Sequence, residues 1–551
     1  MLDKAFQLVQ DNEFNGNPSY ITTTAKLTEA VTATDVMRVY NKYIKSKNYV
    51  MTSVVPKGQL DLAVKDAKEA TVWIEEVKQN VANEEVGQGE EAKYEKTAST
   101  YDRSEPAFGE LPLFKAPEVW TAALENGIKV YGIENNEVPL VQFDITIPGG
   151  HLLDTKGKEG VASLWSSLML EGTANKTPAE LEEAIGLLGA NINVYSANED
   201  THITGSCMAK NFNGTIQLVK EILLEPRWDT KEFNRLKQAL ETRLKGREAN
   251  PNAIASFVAN RLIYGDNHMF SVPSSGTLES IKNITLEDLQ TYYKKLSPKA
   301  ANLHIAGAIS KDKVLETVAV LNAFSGDLVT IPEQELPAQT KAGNLYFIDV
   351  PGSKQSVIRI GKLALAAINA DANNLDFANE ILGGGSSGRL FQTLRIEKGY
   401  TYGAYSGFSN SLEVAPFFVR TSVRANATLK SLQIMQNMLQ NYAKDFSEVE
   451  VALTKNKLLK ADTRAFESLG AKLGMIRNMS KYNKPANYTE INQSELVAMS
   501  LADYKNIIDT YLQEKDMIYI VVGDKETQLE EVKKLGKPVI ELDIYGNLIA
   551  E

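Results

Sequence analysis

The hydrophobic pattern of the chain alternates between two periods. Apolar residues at every second position predict half-buried strands, and apolar residues three and four positions apart predict amphipathic helices. The strand pattern covers 128–132, 141–147, 357–361, 401–406 and 416–423, and the helix pattern covers 160–170, 178–188, 214–224, 230–244 and 373–382. Because strands and helices are mixed along the chain, the pattern predicts an α+β fold with antiparallel-rich sheets that carry helices on one face.

A repeated unit subdivides the chain. Thr32, Thr285 and Ser500 are each followed three residues later by Asp, which is a capping-box pattern at the start of a helix. An apolar stripe at helical spacing follows each of them. An apolar strand is then predicted 18 residues after each capping residue, at Val50, Leu303 and Ile518. The pattern therefore predicts three copies of one kind of domain ending.

The spacing of these endings predicts the domain organisation. Two complete domains are expected at 113–335 and 340–545, after the ending of a third at 1–74. Residues 75–112 are rich in Glu and poor in large aliphatic side chains, so they cannot bury a core and are expected to form a linker. The first ending has no body of its own. We therefore expect a truncated reading frame or one half of a longer polypeptide.

Composition and charge narrow the possible functions. The 551 residues include 59 Lys and Arg against 70 Asp and Glu, a net charge of −11, which argues against a broad nucleic-acid surface. Cys207 is the only cysteine, so an internal disulfide and a Cys-rich zinc site are excluded. No stretch approaches the ~18 apolar residues of a transmembrane segment. We expect a soluble protein, either periplasmic or cytoplasmic.

Two segments of the first complete domain resemble the M16 metallopeptidases, the family of pitrilysin, insulinase and the mitochondrial processing peptidase. They are 148–154 (Pro-Gly-Gly-His-Leu-Leu-Asp) and 160–173, which ends in Glu-Gly-Thr. In active members the helix at this place carries His-x-x-Glu-His, whose imidazoles bind zinc while the Glu activates the bound water. Ser163, Ser166 and Ser167 occupy those positions here, so all three functional groups are absent.

The resemblance also implies a third zinc ligand, a Glu on a later helix. Glu241 lies 74 residues after Ser167 and matches that place. Without the two histidines, however, Glu241 is more simply explained as a solvated or salt-bridged helix residue. We therefore expect no metal ligand and no catalytic residue in this chain, and we expect zinc in a partner half.

The last domain carries a second segment that is similar to the family. Residues 388–403 include Arg395 and, seven positions later, Tyr402. In active members the residues at these places reach the substrate, so the resemblance implies that both bind peptide. A guanidinium fork and a phenol can hold peptide carbonyls or developing negative charge. The alternative is an Arg–Glu ion pair beside a sheet tyrosine.

Two further features stay open at this stage. The glycine-rich loop at 383–389 ends in Arg-Leu, whereas a phosphate-binding loop would require Lys and Ser or Thr there. It could line a peptide channel or simply end a helix. His151 follows two glycines and is expected to be a loop residue without a role.

The resemblance implies a function for the whole chain. We expect the peptide-binding, chamber-completing half of a zinc-dependent M16 metallopeptidase, with a zinc-bearing half as partner and unfolded polypeptide as substrate. On this hypothesis the chain alone is inactive. The alternatives are a catalytically inactive M16-type structural scaffold and, with less support, an independent peptide-binding module.

Overall fold

The computed structural model describes residues 2–56, 58–68, 98–102, 115–336 and 341–549, and its contacts divide the chain into two compact units, 1–81 and 82–551. The N-terminal unit contains three helices: α1 (Leu2–Asn15), α2 (Ile21–Glu29) and α3 (Ala33–Tyr43). Residues 47–56 follow without regular secondary structure. Among the described residues of this unit, only Asp11 is buried.

The larger unit is built on two six-stranded mixed sheets. The first sheet contains β1 (Trp120–Ala123), β2 (Lys129–Glu134), β3 (Leu140–Pro148), β4 (Asn191–Ser196), β5 (Asp200–Met208) and β6 (Asn302–Gly307), in the order β1-β2-β6-β3-β5-β4. Strand β6 is parallel to β2 and antiparallel to β3. The other neighbours pair antiparallel, as the sequence predicted.

The second sheet repeats this arrangement except at one edge strand. It contains β7 (Leu345–Asp349), β8 (Gln355–Leu363), β9 (Thr401–Phe408), β10 (Pro416–Arg424), β11 (Ile518–Gly523) and β12 (Val539–Leu542), in the order β12-β7-β11-β8-β10-β9. Strand β11 is parallel to β7 and antiparallel to β8, as β6 is to its neighbours. The predicted α+β fold with two similar domains is confirmed by this shared topology.

Helices follow the strands of each sheet in sequence. Those in the first half are α4 (Val161–Leu168), α5 (Pro178–Leu187), α6 (Phe212–Leu224), α7 (Thr230–Glu248), α8 (Pro251–Tyr264), α9 (Leu278–Lys282), α10 (Leu286–Tyr293) and α11 (Lys311–Val318). Those in the second half are α12 (Ala372–Gly383), α13 (Arg389–Phe391), α14 (Thr428–Gln440), α15 (Tyr442–Asp445), α16 (Glu448–Asp462), α17 (Leu469–Lys481), α18 (Tyr488–Ala498), α19 (Leu501–Tyr511) and α20 (Lys525–Lys533). A π-helical turn, Gln392–Glu397, extends α13.

The prediction that helices cover one face of each sheet is incomplete. One face carries helices of its own domain, around Phe143 and Trp165 in the first core and Phe347 and Tyr504 in the second. The opposite face carries a helix from the other domain. Helix α8 packs on β8 and β11 of the second sheet, and α17 packs on β6, β3 and β2 of the first. This exchange joins the two domains into one unit.

The repeated ending is present in part. Thr32, Thr285 and Ser500 each form a capping box at the start of α3, α10 and α19. The second and third strands follow as β6 and β11. The first prediction is wrong, because 47–56 pairs with no strand and Val50 is 92% exposed. An extended segment becomes a strand only when neighbours satisfy its backbone groups.

Two other predictions concern the linker and membrane-spanning segments. The expected linker 75–112 lies outside the described residues except for 98–102. Among the helices that the structure describes, none is both long enough and apolar enough to cross a bilayer.

Candidate functional site

The helix that resembles the zinc-binding helix is α4. It begins after Gly160, whose φ of +107° favours glycine, and it packs against α7 and α10. The hydroxyl of Ser166 donates to the carbonyl oxygen of Ser163 at 2.9 Å, and the hydroxyl of Ser167 donates to the same oxygen at 3.0 Å. Both side chains are thus bonded back to their own helix.

This site does not fit a zinc ion. Protein zinc sites use Cys, His or carboxylate ligands, and the three serines supply only hydroxyl groups. Glu241 is half-buried on α7, the helix that packs against α4, and is the one carboxylate that the resemblance places here. Across the described ranges, no three His, Cys, Asp or Glu side chains are arranged to hold a metal ion.

Arg395 and Tyr402 meet at the edge of the second sheet. Arg395 lies in the π-helical turn, and Tyr402 lies at the start of the edge strand β9. The guanidinium carbon is 5.1 Å from the centre of the tyrosine ring, and Nη1 donates to the Thr401 carbonyl oxygen at 3.4 Å. Both side chains are exposed, Tyr402 to 84%. This pair presents a cation, a phenol and an open surface together.

The glycine-rich loop connects α12 to α13. Lys457 of α16 forms an ion pair with Glu380 of α12 and donates to the hydroxyl of Ser387 at 3.0 Å. Arg389 donates to both carboxylate oxygens of Glu450, each at 2.8 Å. These contacts tie both ends of the loop to α16.

His151 is a buried structural residue rather than a free loop residue. Its Nδ1 lies 2.9 Å from Oδ2 of Asp154, and its Nε2 lies 3.0 Å from the carbonyl oxygen of Met269. Burial opposes the charged imidazole, but Asp154 and the backbone carbonyls more than offset it and raise the pKa of His151. Asp154 also accepts from the backbone N–H of Ala162. The pair therefore fixes the segment that leads into α4.

A polar cluster lies between the two domains and was not predicted from the sequence. The carboxylate of Asp144 on β3 is fully buried, 3.0 Å from Nδ1 of His202 and 3.0 Å from Nη1 of Arg477 on α17. Nε2 of His304 on β6 lies 2.6 Å from the hydroxyl of Ser480. Asp144 could have indicated this cluster, because a charged residue in a central strand needs a partner. Its partner on α17 is 333 positions away and could not be read from the pattern.

The cluster continues to the end of α17. Nζ of Lys481 lies 2.7 Å from Glu199 and 2.5 Å from Asp200. Glu199 also accepts from the hydroxyl of Ser411 and from two backbone N–H groups of the β9–β10 connection. These contacts join the β4–β5 turn of the first domain to the second domain.

Comparison with known proteins identifies the family. The model described as "Insulinase (Peptidase family M16)" matches residues 129–268, and the model described as "Peptidase M16 inactive domain" matches 283–458. The chain belongs to the M16 peptidase family. The two matches cover parts of both sheets, as the resemblance of α4 and of the Arg395 segment predicted.

M16 relatives of this chain include proteins with and without a peptidase name. "Non-peptidase homolog YmxG" of Helicobacter pylori is 21% identical over 401 residues, 71% of this chain and 91% of its own length. "Uncharacterized zinc protease YmxG" of Bacillus subtilis is also 21% identical, over 63% of this chain and 85% of its own length. The beta subunit of the mouse mitochondrial-processing peptidase is 21% identical over 75% of this chain and 86% of its own length.

Solved M16 structures share the fold. The peptidase M16 inactive domain from Pseudomonas fluorescens matches with a TM-score of 0.70 and 24% identity, covering 74% of this chain and 99% of its own. A protease from Helicobacter pylori matches with a TM-score of 0.68 and 18% identity, covering 74% of this chain and all of its own. At these identities the likeness establishes the arrangement of strands and helices.

Proposed function

We propose that this chain is a catalytically inactive M16-type scaffold half that assembles with a zinc-bearing M16 half. The observation that carries the proposal is the chemistry of α4, where Ser163, Ser166 and Ser167 stand in place of the zinc motif and two of the hydroxyls are bonded to their own helix. The names of the Helicobacter relative and of the Pseudomonas structure, a non-peptidase homolog and an inactive domain, support the same assignment.

The test compares the chain alone with the chain co-expressed with a zinc-bearing M16 half. Alone, the full chain is expected to purify without stoichiometric zinc by elemental analysis and to leave a quenched fluorescent peptide intact. Together, the two halves should co-purify and give hydrolysis that a chelator abolishes. Zinc and chelator-sensitive hydrolysis in the chain alone would contradict the proposal.

A gain-of-function variant calibrates the zinc measurement. The combined substitution S163H, S166E and S167H places two imidazoles four residues apart on one face of α4, opposite the helix that bears Glu241. This variant should gain zinc, and adding Glu241→Gln should weaken the binding. If zinc content rises equally in both, Glu241 does not occupy the ligand position.

A second function, the binding of extended or unfolded peptide, is favoured by Arg395 and Tyr402. Their side chains lie together, exposed, beside an edge strand, and Arg395 has donors left for a peptide carbonyl or carboxylate. A peptide held by Arg395 and Tyr402 would lie on this chain, which would complete a chamber together with the zinc-bearing partner half.

This second function has its own measurement. Fluorescence anisotropy of a labelled unfolded peptide should show roughly tenfold weaker binding for Arg395→Ala, since a hydrogen bond to a charged group contributes about 1.5–3 kcal/mol. Tyr402→Phe should weaken it less. Lys398→Ala is the matched control, because Lys398 is an exposed cation on the same segment. Equal affinity for Arg395→Ala and the unsubstituted chain would remove the peptide-binding role.

A further inference from the structure

The N-terminal unit leaves its apolar side chains in water. Its three helices carry large exposed residues on every element, including Phe6, Phe14, Ile21 and Leu27. Soluble proteins rarely expose so many large apolar side chains on three consecutive helices unless another molecule covers them. The repeated domain ending provides a direct guide to what that cover is, because the other two copies are seen in their packed state.

Helix α3 exposes the positions that its two counterparts bury. Counted from the capping residue, Val36 and Val39 of α3 correspond to Leu289 and Tyr292 of α10 and to Tyr504 and Ile507 of α19. Val36 is 56% and Val39 is 41% exposed, whereas the four counterparts are between 0% and 7% exposed. In the packed copies, α10 lies against α4 and α19 lies against α12. The face of α3 thus has the pattern of a helix that packs on such a body.

The segment after α3 shows the same contrast. Its counterparts β6 and β11 are interior strands, each parallel to one neighbour and antiparallel to the other. Residues 50–55, at the same distance from the cap, have no strand partner, and Val54 is 98% exposed. An interior strand position would satisfy both edges of this segment and bury both of its faces.

We infer that α3 and residues 50–55 form a helix–strand unit that docks into an M16-type body lacking its own, with 50–55 entering as an interior strand. The inference rests on the proposed pairing with a second M16 half and names the surface through which this chain contributes to it. The strand would lie parallel to one neighbour and antiparallel to the other. This is strand addition within a sheet rather than at its edge.

A second copy of this chain with the same fold cannot be the recipient, because both of its corresponding positions are filled. The slot between β2 and β3 is filled by β6, and the slot between β7 and β8 is filled by β11. The helix positions beside them are filled by α10 and α19. The recipient must therefore be a body in which the corresponding helix and strand are missing.

The experiment co-expresses the full chain with a zinc-bearing M16 half cut before its last capped helix and strand. The cut half is expected to be recovered in soluble form with the unsubstituted chain and with Asn41→Asp, which adds a charge on the opposite side of α3. It should be at least tenfold less abundant with Val39→Asp, which places the same charge in the apolar face. Both variants add one negative charge to α3, and they differ in the side of the helix that carries it.

Two backbone variants test the strand specifically. Thr52→Pro removes an N–H that an interior strand requires, whereas Thr52→Val keeps it. Since 50–55 has no strand partner in the free chain, both variants should fold as the unsubstituted chain does. Only Thr52→Pro should lower recovery of the cut half. In the complex, amide exchange over 50–55 should slow at least tenfold.

The outcomes separate this inference from the proposed function. Recovery that is equal for Val39→Asp and Asn41→Asp, absent for every form of the chain, or unchanged by Thr52→Pro overturns the docking of this unit. Self-association of the full chain that Val39→Asp abolishes would assign the face to a second copy and also overturn it. The zinc content and hydrolysis of the chain alone involve neither α3 nor 50–55, so they decide the scaffold assignment independently.

Discussion

The two helices that cross between the domains occupy corresponding places but are held by different interactions. The face of α8 toward the second sheet is mainly apolar, with Ile254, Ala255, Val258 and Ala259 in one cluster with residues of β8 and β11, and it adds a hydrogen bond from Arg359 to Ser256. The C-terminal half of α17 meets the first sheet through Arg477, Ser480 and Lys481. Apolar contacts accompany them along the helix: Leu469 and Ile476 pack with Ile133 and Ala306, and Met475 and Met479 pack with Tyr131 of β2.

The difference separates two ways of joining domains. Burial of apolar area is strong and non-directional, so α8 supplies cohesion that depends little on pH or salt. Buried ionic groups cost desolvation energy and offset it only when each finds its partner, so the ionic groups of α17 supply orientation more than net stability. The predictions below test this contrast, from the largest expected effect to the smallest.

A charge placed under α8 should have the largest effect. Ala259 is fully buried against the second sheet, so Ala259→Asp would bury a carboxylate without a partner. The free energy of unfolding should fall by at least about 4 kcal/mol in urea denaturation at pH 7. Asn252→Asp, an exposed position at the start of α8, should change it by less than about 0.5 kcal/mol. Similar losses in both variants would show that α8 is not the apolar joint.

Removal of one ion from the α17 contact should rank second. Arg477→Met leaves the buried Asp144 carboxylate with one fewer cation and should cost about 2–3 kcal/mol, below the range for fully buried pairs because Arg477 is partly exposed. Adding Asp144→Leu removes the uncompensated charge and should recover at least about 1 kcal/mol. If the two losses simply add in a double-mutant cycle, Arg477 and Asp144 do not act as a pair.

The same contrast explains what sequence analysis could and could not predict. Strands β3, β8 and β10 and the caps at Thr285 and Ser500 depend on local pattern, and they were predicted within a few residues. An amphipathic helix looks the same whichever sheet it covers, so the exchange of α8 and α17 left no local trace. The strand predicted at Val50 failed for the same reason, because the pattern of a segment does not state whether neighbours exist to pair with it.

The candidate site, too, could be predicted from the sequence only in part. The identity of the residues alone showed that Ser163, Ser166 and Ser167 cannot supply the zinc ligands of the motif. The pairing of Arg395 with Tyr402 required the turn between α13 and β9, and only the resemblance pointed to it. The roles of Asp144 and His304 depended on a helix more than 150 residues further along the chain, so their burial and partners became visible only in the fold.

Acid should weaken the α17 contact through His304. Burial lowers the pKa of His304 to about 4, so below its ordinary pKa of about 6.5 the unfolded chain binds a proton that the folded chain does not. Stability is therefore complete above pH 6.5 and is lost as the pH falls toward 4. Between pH 7 and pH 5 the contribution of His304 should be a loss of about 2 kcal/mol.

The variant His304→Asn isolates this contribution. The slope of unfolding free energy against pH should become shallower between pH 7 and pH 5, while the part due to His268 stays. Burial also lowers the pKa of His268, near the end of α8. The pH dependence of stability that His268 contributes is the same in the unsubstituted chain and in His304→Asn. Partner groups also lower the pKa of Asp144 against the effect of burial, so its contribution is lost only at lower pH. Identical slopes with and without His304 would contradict its assigned protonation.

The smallest effect is expected at Lys481, at the C-terminal end of α17, where Glu199 and Asp200 are its partners. Burial opposes its charge, but Asp200 and Glu199 outweigh burial and raise the pKa of Lys481, so it stays protonated at neutral pH. Lys481→Met should cost about 1.5–2 kcal/mol, because the buried Asp200 carboxylate loses its Lys481 partner while Glu199 keeps three donors from the β9–β10 connection. In 1 M salt the cost of Lys481→Met should shrink in part, because the Lys481 side chain is 19% exposed, whereas the cost of Ala259→Asp should persist. If salt left both costs unchanged, the charged end of α17 would be as insulated from solvent as the apolar face of α8, and the two contacts would no longer differ in kind.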